Sequence, residues 1–395
     1  MDVAKRLYKD LGKIIICLYL VLFPLGQLAK IPILLFDRTI FANLSDLLVL
    51  FTIPLLFLKF IKFPKVSKYI LDLLILASFS LFISFSWFNA KDVLLASLYL
   101  LRILSYFSFF TLVFNLVKLK ILSKPFIYKS LLFITVAIAV FGWYQYLYFP
   151  DLTALKYLNW DDHLYRIAGP FLDPAFTSLF LVFGVLMATH AFLVKKGKSY
   201  LILSVFLLVT LAFTYNRASF LALFCGINYL IFDGKKRSRS LLVMVLVTVT
   251  VFVLLPKKPG EGTKLLRTQS IHAKIINYSE TIQIVRKYPL FGVGMNNLCP
   301  VRIEMFGGGK ESHSCSGSDS SFLFVIATTG FLGFLVFINM SYQIFKVISN
   351  DYYGKIFISI AIGLLVDSLF VQSAFYSFTM GFMGLFYAIA ITDQG

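Results

Sequence analysis

Long apolar runs recur along the whole chain and constrain its fold more than any other feature. A helix needs about 18 to 20 predominantly apolar residues to cross a bilayer, and many runs here reach that length. Only 14% of the residues are charged, whereas soluble domains carry about a quarter. The sequence therefore predicts an all-α integral membrane protein. Candidate spans lie at 12–28, 42–61, 68–88, 93–117, 126–148, 170–194, 199–215, 218–233, 239–255, 319–345, 355–373 and 375–392.

The positive charges between these runs predict the orientation of the chain. Every second connection is rich in lysine or arginine, as at 59–68 and 235–239, whereas Lys91 is the one basic residue between the third and fourth spans. Because cytoplasmic loops carry the excess of positive charge, we expect about twelve spans and both termini in the cytoplasm. The basic N-terminus is followed by an apolar stretch without a small-residue cleavage site before Gly26, which predicts an uncleaved first helix.

The net charge of +18 does not indicate nucleic-acid binding. The positive residues lie in short clusters between apolar runs, where they orient helices in a membrane. A protein that binds a phosphate backbone instead collects them on one folded face.

One large polar segment interrupts the apolar pattern at 256–318, between spans 9 and 10, and it is predicted to be extracytoplasmic. The whole chain, 1–395, is interpreted as a single polytopic membrane domain that includes this loop. Around Ile282 and Val285 the loop predicts an amphipathic helix lying on the membrane interface. Cys299 and Cys315 share this loop, and either a disulfide or two free thiols fits the sequence. No Cys/His spacing resembles a metal site.

Two charged residues that lie deep inside predicted spans are Arg102, about ten residues into its span, and Asp367, near the middle of another. Because a charge in the bilayer costs a few kcal/mol, such residues deserve a functional hypothesis. They are predicted either to pair with each other or to line a polar cavity. A structural ion pair or an arginine that reaches the interface is the alternative.

Further arginines lie at the predicted outer face, which lacks the positive bias. Arg166 precedes the sixth span, and Arg217 lies in the tight connection between the seventh and eighth. Two guanidinium groups at one membrane face can together bind a phosphate, because each offers a bidentate fork that stays charged. The alternative is that each arginine acts alone in a structural role.

The large loop adds more ionisable residues and ends where a span begins. Asp319 opens that span, where it could cap the helix or accept a proton from a hydroxyl group. The other ionisable candidates in the loop are Arg267, His272, Lys274, Arg286 and His313.

The order of four short motifs resembles the bacterial O-antigen ligases and the related O-antigen polymerases, which are polytopic glycosyltransferases of the cell envelope. The motifs are Arg166-Ile-Ala-Gly-Pro-Phe, Thr214-Tyr-Asn-Arg-Ala-Ser-Phe, a Pro289-Leu-Phe-Gly-Val-Gly stretch after the amphipathic helix, and Asp319-Ser-Ser-Phe-Leu continuing to Thr329-Gly-Phe-Leu-Gly. The resemblance covers residues 160–345.

This resemblance implies a metal-independent transfer without a cofactor at the outer face of the bacterial inner membrane. The donor would be a glycan linked to undecaprenyl diphosphate, and the acceptor would be a lipid-linked sugar or the lipid A-core. A chain-length regulator is a further candidate partner. Arginines would neutralise the diphosphate, which assigns Arg166 and Arg217 to it, assisted by Arg267, Lys274 or Arg286. Asp319 or His313 would orient or deprotonate the acceptor.

The chain departs from the pattern of this family at three places. Asn216 replaces the serine that usually precedes the second arginine, and Lys274, with Arg267 nearby, stands where many members have an arginine about fifteen residues before Pro289. Asp319-Ser320 stands where ligases typically have His-Asn. This last change shifts weight toward a polymerase, and both activities stay open. A transporter or flippase of lipid-linked glycans is the alternative from another class. The absence of an evident internal repeat and the clustering of working residues outside the bilayer favour a transferase.

Overall fold

The computed structural model describes residues 2–35, 38–158, 160–232, 255–256, 258, 260–307, 315 and 317–391. Six helices in this part of the chain are long and apolar enough to cross a membrane, and they coincide with the first, third, fourth, fifth, sixth and tenth predicted spans. The prediction of a predominantly helical, multi-pass membrane protein is therefore confirmed. The six are Lys5–Leu28, Ser67–Ser84, Ala90–Lys118, Lys124–Tyr148, Pro174–Lys195 and Ser321–Lys346.

The described part of the chain consists mainly of α-helices, with one pair of short strands near its start. In chain order these elements are α1 (Asp2–Leu22), β1 (Lys30–Leu35), β2 (Arg38–Asn43), α2 (Leu44–Leu50), α3 (Ser67–Ser84), α4 (Ala90–Lys118), α5 (Lys124–Tyr148), α6 (Pro174–Lys195), α7 (Lys198–Ala212), α8 (Arg217–Phe232), α9 (Gln269–Lys287), α10 (Leu298–Phe306), α11 (Ser321–Lys346), α12 (Tyr352–Asp367) and α13 (Ser377–Ile391). Short 3-10 helices cover Phe23–Leu28, Ile53–Phe57, Thr153–Leu158, Gly169–Phe171 and Glu261–Thr263.

Four shorter apolar helices match the seventh, eighth, eleventh and twelfth predicted spans. These helices, α7, α8, α12 and α13, have 15 or 16 residues each. The ninth predicted span, 239–255, lies outside the described residues except for Leu255. The total of twelve spans therefore stays a prediction.

The segment after α1 differs from the all-helical prediction. β1 and β2 form an antiparallel hairpin in which Ile33 lies opposite Ile40. The predicted span at 42–61 is also not one continuous helix, because α2 ends at Leu50 and a 3-10 helix begins at Ile53. Pro54 lacks an amide hydrogen and cannot continue the α-helix.

The two largest hydrophobic clusters among the described residues hold most of the helices together. The larger one centres on α6, whose inner residues such as Phe180 and Phe183 are fully buried. The smaller one joins Ile284 of α9 and Leu298 of α10 to Phe324 of α11 and residues of α3. The helices of the large loop therefore share a core with the membrane helices.

The two glycine motifs noticed in the sequence pack against each other. The amide of Val293 donates to the carbonyl oxygen of Ala327 (3.0 Å), and the amide of Phe331 donates to that of Pro289 (2.8 Å). Gly330 makes this pairing possible. Its φ of 68° interrupts α11, and the backbone of Gly330 packs directly against the backbone of Leu290. This contact fixes the C-terminal end of α9 against α11.

Candidate active site

A polar cavity of about 730 Å³ lies among the starts of α6, α8 and α11, one side of α9, and the segment between α12 and α13. It is lined by five of the residues predicted to form the site. They are Arg166, Arg217, Arg267, Lys274 and Asp319. Since these residues come from separate parts of the sequence, only the tertiary fold brings them together.

Arg217 anchors the loop that precedes α9 to the start of α8. Its Nη1 donates to the carbonyl oxygens of Leu265 (3.2 Å) and Arg267 (3.1 Å), and its Nη2 donates to Ser270 Oγ (2.9 Å). Because the protein itself uses both Nη groups, Arg217 contributes positive charge to the cavity and also holds Arg267 in place.

Arg267 is held by backbone carbonyl groups in the same region. Its Nη1 donates to the carbonyl oxygens of Gly262 (2.8 Å) and Lys264 (3.2 Å), and its Nη2 donates to that of Tyr215 (3.3 Å). Burial and the nearby Arg217 lower the pKa of Arg267. The loop is therefore folded around two cations that face one space.

Of Arg166, Arg217 and Arg267, Arg166 is the one whose fork is open to a ligand. Its Nε donates to the carbonyl oxygen of Thr214 (2.9 Å), and among the described residues neither Nη group has a hydrogen-bond partner. Burial and the charge of Arg267 lower the pKa of Arg166 to about 9, against the opposing effect of Asp173 and Asp161, so its guanidinium stays protonated at neutral pH. A bound anion would relieve the mutual repulsion of these cations.

Asp319 points its carboxylate toward the cavity instead of capping α11. The N-cap residue is Ser320, whose Oγ accepts from the amide of Leu323 (3.5 Å), so the predicted capping role of Asp319 is wrong. The Asp319 carboxylate lies 3.4 Å from Lys274 Nζ. Its backbone is positioned separately, since its amide donates to Asn277 Oδ1 (2.9 Å).

Three polar side chains that surround Asp319 were not among the predicted site residues, namely Asn277, Tyr278 and Gln372. The hydroxyl of Tyr278 lies 3.2 Å from the carbonyl oxygen of Asp319 and 2.6 Å from that of Leu369. Burial and the charge of Asp319 raise the pKa of Tyr278 to about 12, so this hydroxyl stays a donor at neutral pH. Asn277 and Tyr278 could have been predicted from the sequence. They lie three and four residues after Lys274 on one helix, so their side chains share its face.

Two predicted site residues are not brought to the cavity by the described structure. Arg286 is exposed near the end of α9 and does not line the cavity. Arg286 lies twelve positions after Lys274. This separation corresponds to roughly three and a third turns of the helix, so the two side chains do not lie on the same face. His313 lies outside the described residues.

The charges predicted inside the membrane have different partners from the expected ones. Arg102 does not pair with Asp367, because its Nε lies 3.1 Å from Asp46 Oδ2, and it also lines the cavity. Asp367 is fully buried at the end of α12, where Ser219 Oγ lies 3.4 Å from its Oδ1. The partner of Arg102 was not predicted, although Asp46 lies within the second predicted span, 42–61.

A disulfide between Cys299 and Cys315 ties down the segment that leads to Asp319, which settles the alternative left open by the sequence. Arg302 reinforces this connection. Its Nη1 donates to the carbonyl oxygen of Cys315 (3.0 Å), and its Nη2 donates to Thr281 Oγ1 of α9 (2.9 Å). Among the described residues, no three His, Cys, Asp or Glu side chains are grouped so that they could hold a metal ion.

The central part of the chain is similar to a known protein family. Residues 202–338 match the family described as O-antigen ligase, and this stretch lies within the predicted region 160–345. None of the curated proteins compared with the chain matches it. The matched stretch contains Arg217, Arg267, Lys274 and Asp319, whereas Arg166 precedes it. This membrane protein therefore carries a stretch, residues 202–338, that matches the O-antigen ligase family and supports the predicted relation to that superfamily.

Proposed function

We propose that the protein is a membrane glycosyltransferase that moves a glycan from undecaprenyl diphosphate to a hydroxyl group of a lipid-linked sugar acceptor. The observation that carries this proposal is the cavity in which Arg166, Arg217, Arg267 and Lys274 surround one space together with Asp319. A cluster of fixed cations beside a carboxylate suits the departure of a diphosphate and the deprotonation of an alcohol.

The proposed setting is the bacterial inner membrane, with about twelve spans and both termini in the cytoplasm. In this topology residues 256–318 and the cavity face the extracytoplasmic side. Both substrates carry lipid chains, so a site close to the membrane surface lets them remain in the bilayer while they react.

In the proposed complex, the diphosphate binds between the guanidinium group of Arg166 and the charges of Arg217, Arg267 and Lys274. The two open Nη groups of Arg166 match a pair of phosphate oxygens. Negative charge grows on the diphosphate as it leaves, and preorganised cations stabilise that charge most strongly in the transition state. Fixed cations can thereby take the charge-neutralising role that a magnesium ion fills in other phosphate chemistry.

The proposed transfer is a displacement at the anomeric carbon of the donor sugar. The acceptor hydroxyl oxygen forms a bond to this carbon, while the bond from the carbon to the diphosphate oxygen breaks and its electron pair leaves with the diphosphate. The hydroxyl proton passes to the carboxylate of Asp319. Lys274, 3.4 Å away, orients that carboxylate.

We expect Asp319→Asn to lower the rate of glycan transfer by roughly a hundredfold or more, because the amide cannot accept the proton. The fold should persist, since Asn277 and Tyr278 hold the backbone of Asp319 and not its side chain. The measurement is the transfer rate of purified enzyme with saturating donor. The KM for the donor should change little.

Asp319→Glu and His313→Ala are the matched comparisons for this prediction. The glutamate variant keeps a carboxylate and should retain part of the rate, and the alanine variant should leave the rate near that of the unchanged protein. If Asp319→Asn stays active while His313→Ala is inactive, the proton acceptor is His313 and the assignment to Asp319 is wrong.

The function itself is tested by deleting the gene in its host and separating the envelope glycans on a gel. A polymerase deletion should leave single repeat units on the lipid core without a ladder. A ligase deletion should remove every glycan-bearing core and leave long chains on undecaprenyl diphosphate. An unaltered pattern would contradict both activities, and single units confined to the cytoplasmic face of the membrane would indicate a flippase.

A further inference from the structure

A second polar cavity, of about 700 Å³, has no part in the mechanism proposed above. It is formed by β2, the start of α2, the first turns of α4 and the residues around the start of α10. These elements all belong to segments that the predicted topology places at the extracytoplasmic ends of the spans. The second cavity therefore opens near the same membrane face as the first.

The two cavities share a wall made by Tyr99 and Arg102 of α4, which line both. This wall is fixed on each side by polar contacts. Arg102 Nε lies 3.1 Å from Asp46 Oδ2, and the hydroxyl of Tyr106 donates to Asp46 Oδ1 (2.8 Å). Gln372 Nε2 lies 3.4 Å from the hydroxyl of Tyr99 on the side of the first cavity. A group bound in the second cavity thus lies one side chain away from the cationic site.

The charges of the two cavities differ in a way that separates their ligands. Four cationic side chains besides the shared Arg102 line the first cavity, which suits a diphosphate. The second cavity has the carboxylates of Asp46 and Asp92, and Arg102 is the one cation among the described residues that line it. A diphosphate would be disfavoured there, because the lining contains two carboxylates and its one arginine is already paired with Asp46.

The remaining lining of the second cavity suits a sugar. Asn296 provides an amide that both donates and accepts hydrogen bonds, and carboxylates accept from hydroxyl groups. The amide of Asn297 is already used, since its Nδ2 donates to Ser84 Oγ (3.1 Å) and to the carbonyl oxygen of Val293 (3.2 Å). Phe41, an exposed aromatic ring, offers an apolar face to the carbon–hydrogen side of a sugar ring.

We infer that the second cavity binds the saccharide of the acceptor, so that its reacting hydroxyl group meets the donor at the wall of Tyr99 and Arg102. This inference rests on the proposed transferase function, and it adds where the acceptor binds. The donor diphosphate and the acceptor sugar then occupy separate cavities, and the anomeric carbon lies where the two meet.

The test uses two soluble probes and purified protein in detergent. One probe is the saccharide released by mild acid from the envelope glycolipids of the host, and its binding is followed by saturation-transfer NMR. The other is inorganic pyrophosphate, followed by phosphorus NMR. Two variants alter the second cavity. Thr39→Trp fills it from an exposed position of β2, and Asn296→Gly removes an amide while keeping a residue that tolerates its φ of 64°.

We expect both variants to bind the saccharide at least about tenfold more weakly, the loss associated with roughly 1.4 kcal/mol. Their affinity for pyrophosphate should stay unchanged, which also shows that they are folded. Leu34→Trp is the control, because Leu34 is exposed in the same hairpin and does not line the cavity.

Unchanged saccharide binding in both variants would overturn the inference, as would a saccharide that does not bind the unaltered protein. A loss of pyrophosphate binding in variants that still elute as folded protein in size-exclusion chromatography would also overturn it, because the second cavity would then hold the donor. Failure of the proposed function gives a different result: the saccharide binds and depends on Thr39 and Asn296, but no glycan is transferred from undecaprenyl diphosphate.

Discussion

Arg166→Gln is expected to slow glycan transfer by roughly a hundredfold or more, the usual loss when one preorganised donor to a developing negative charge is removed. Of Arg166, Arg217 and Arg267, only Arg166 has two Nη groups without a hydrogen-bond partner among the described residues. Glutamine keeps a polar side chain of moderate length but removes the charge and the fork. The measurement is the rate of transfer from undecaprenyl-diphosphate-linked glycan by purified protein, with the affinity for pyrophosphate determined in parallel.

Three further variants serve as comparisons for this result. Arg166→Lys keeps the charge without the bidentate fork and should recover only part of the rate. Arg286→Gln removes an exposed arginine that does not line the cavity and should leave the rate unchanged. Arg217→Ala is expected to be inactive too, but it also releases the loop bound through Leu265 and Ser270. Equal rates for Arg166→Gln and Arg286→Gln would remove Arg166 from the diphosphate site.

Gly330→Ala is expected to prevent the protein from reaching a stable folded state. A Cβ at this position would lie 2.1 Å from the carbonyl oxygen and 2.2 Å from the carbonyl carbon of Leu290, and the φ of 68° is unfavourable for alanine. Neither backbone can move away without breaking the hydrogen bonds that join Val293 to Ala327 and Phe331 to Pro289. The combined cost should reach about 3 kcal/mol or more.

The measurement is the thermal midpoint in detergent, followed by size-exclusion chromatography after heating. Gly307→Ala is the matched control, because Gly307 has nearly the same φ of 67°, but no heavy atom of the described residues lies within 4 Å of an added Cβ. The control therefore carries only the cost of the left-handed backbone, about 1–2 kcal/mol. If both variants lose the same stability, the contact between Gly330 and Leu290 is not what the glycine protects.

Local patterns in the sequence sufficed for much of the architecture. A span of about 20 apolar residues can be recognised without its neighbours, because its environment is lipid and its backbone satisfies its own hydrogen bonds. Six spans were found in this way. The short motifs around Arg166, Arg217, Pro289 and Asp319 also pointed to the family, and residues 202–338 match it.

The hairpin and the broken second span were beyond this kind of reasoning. Hydropathy averages over a window, so it read 42–61 as one apolar run and missed the interruption between Leu50 and Ile53. Asp46, whose carboxylate pairs with Arg102, lies inside that predicted span but was not considered as a partner. Of the alternatives predicted for Arg102, pairing with Asp367 is wrong, whereas Arg102 does line a polar cavity.

What the sequence by itself determined was membrane character, the positions of most long helices and the set of ionisable residues available for chemistry. The tertiary structure decided which of these residues share a cavity: Arg166 and Asp319 face one space, and Arg286 points away from it. It also decided that a second cavity adjoins the first across Tyr99 and Arg102. The physical reason is that hydropathy and charge act on each segment separately. The meeting of side chains from distant segments depends instead on how the helices pack and rotate against one another.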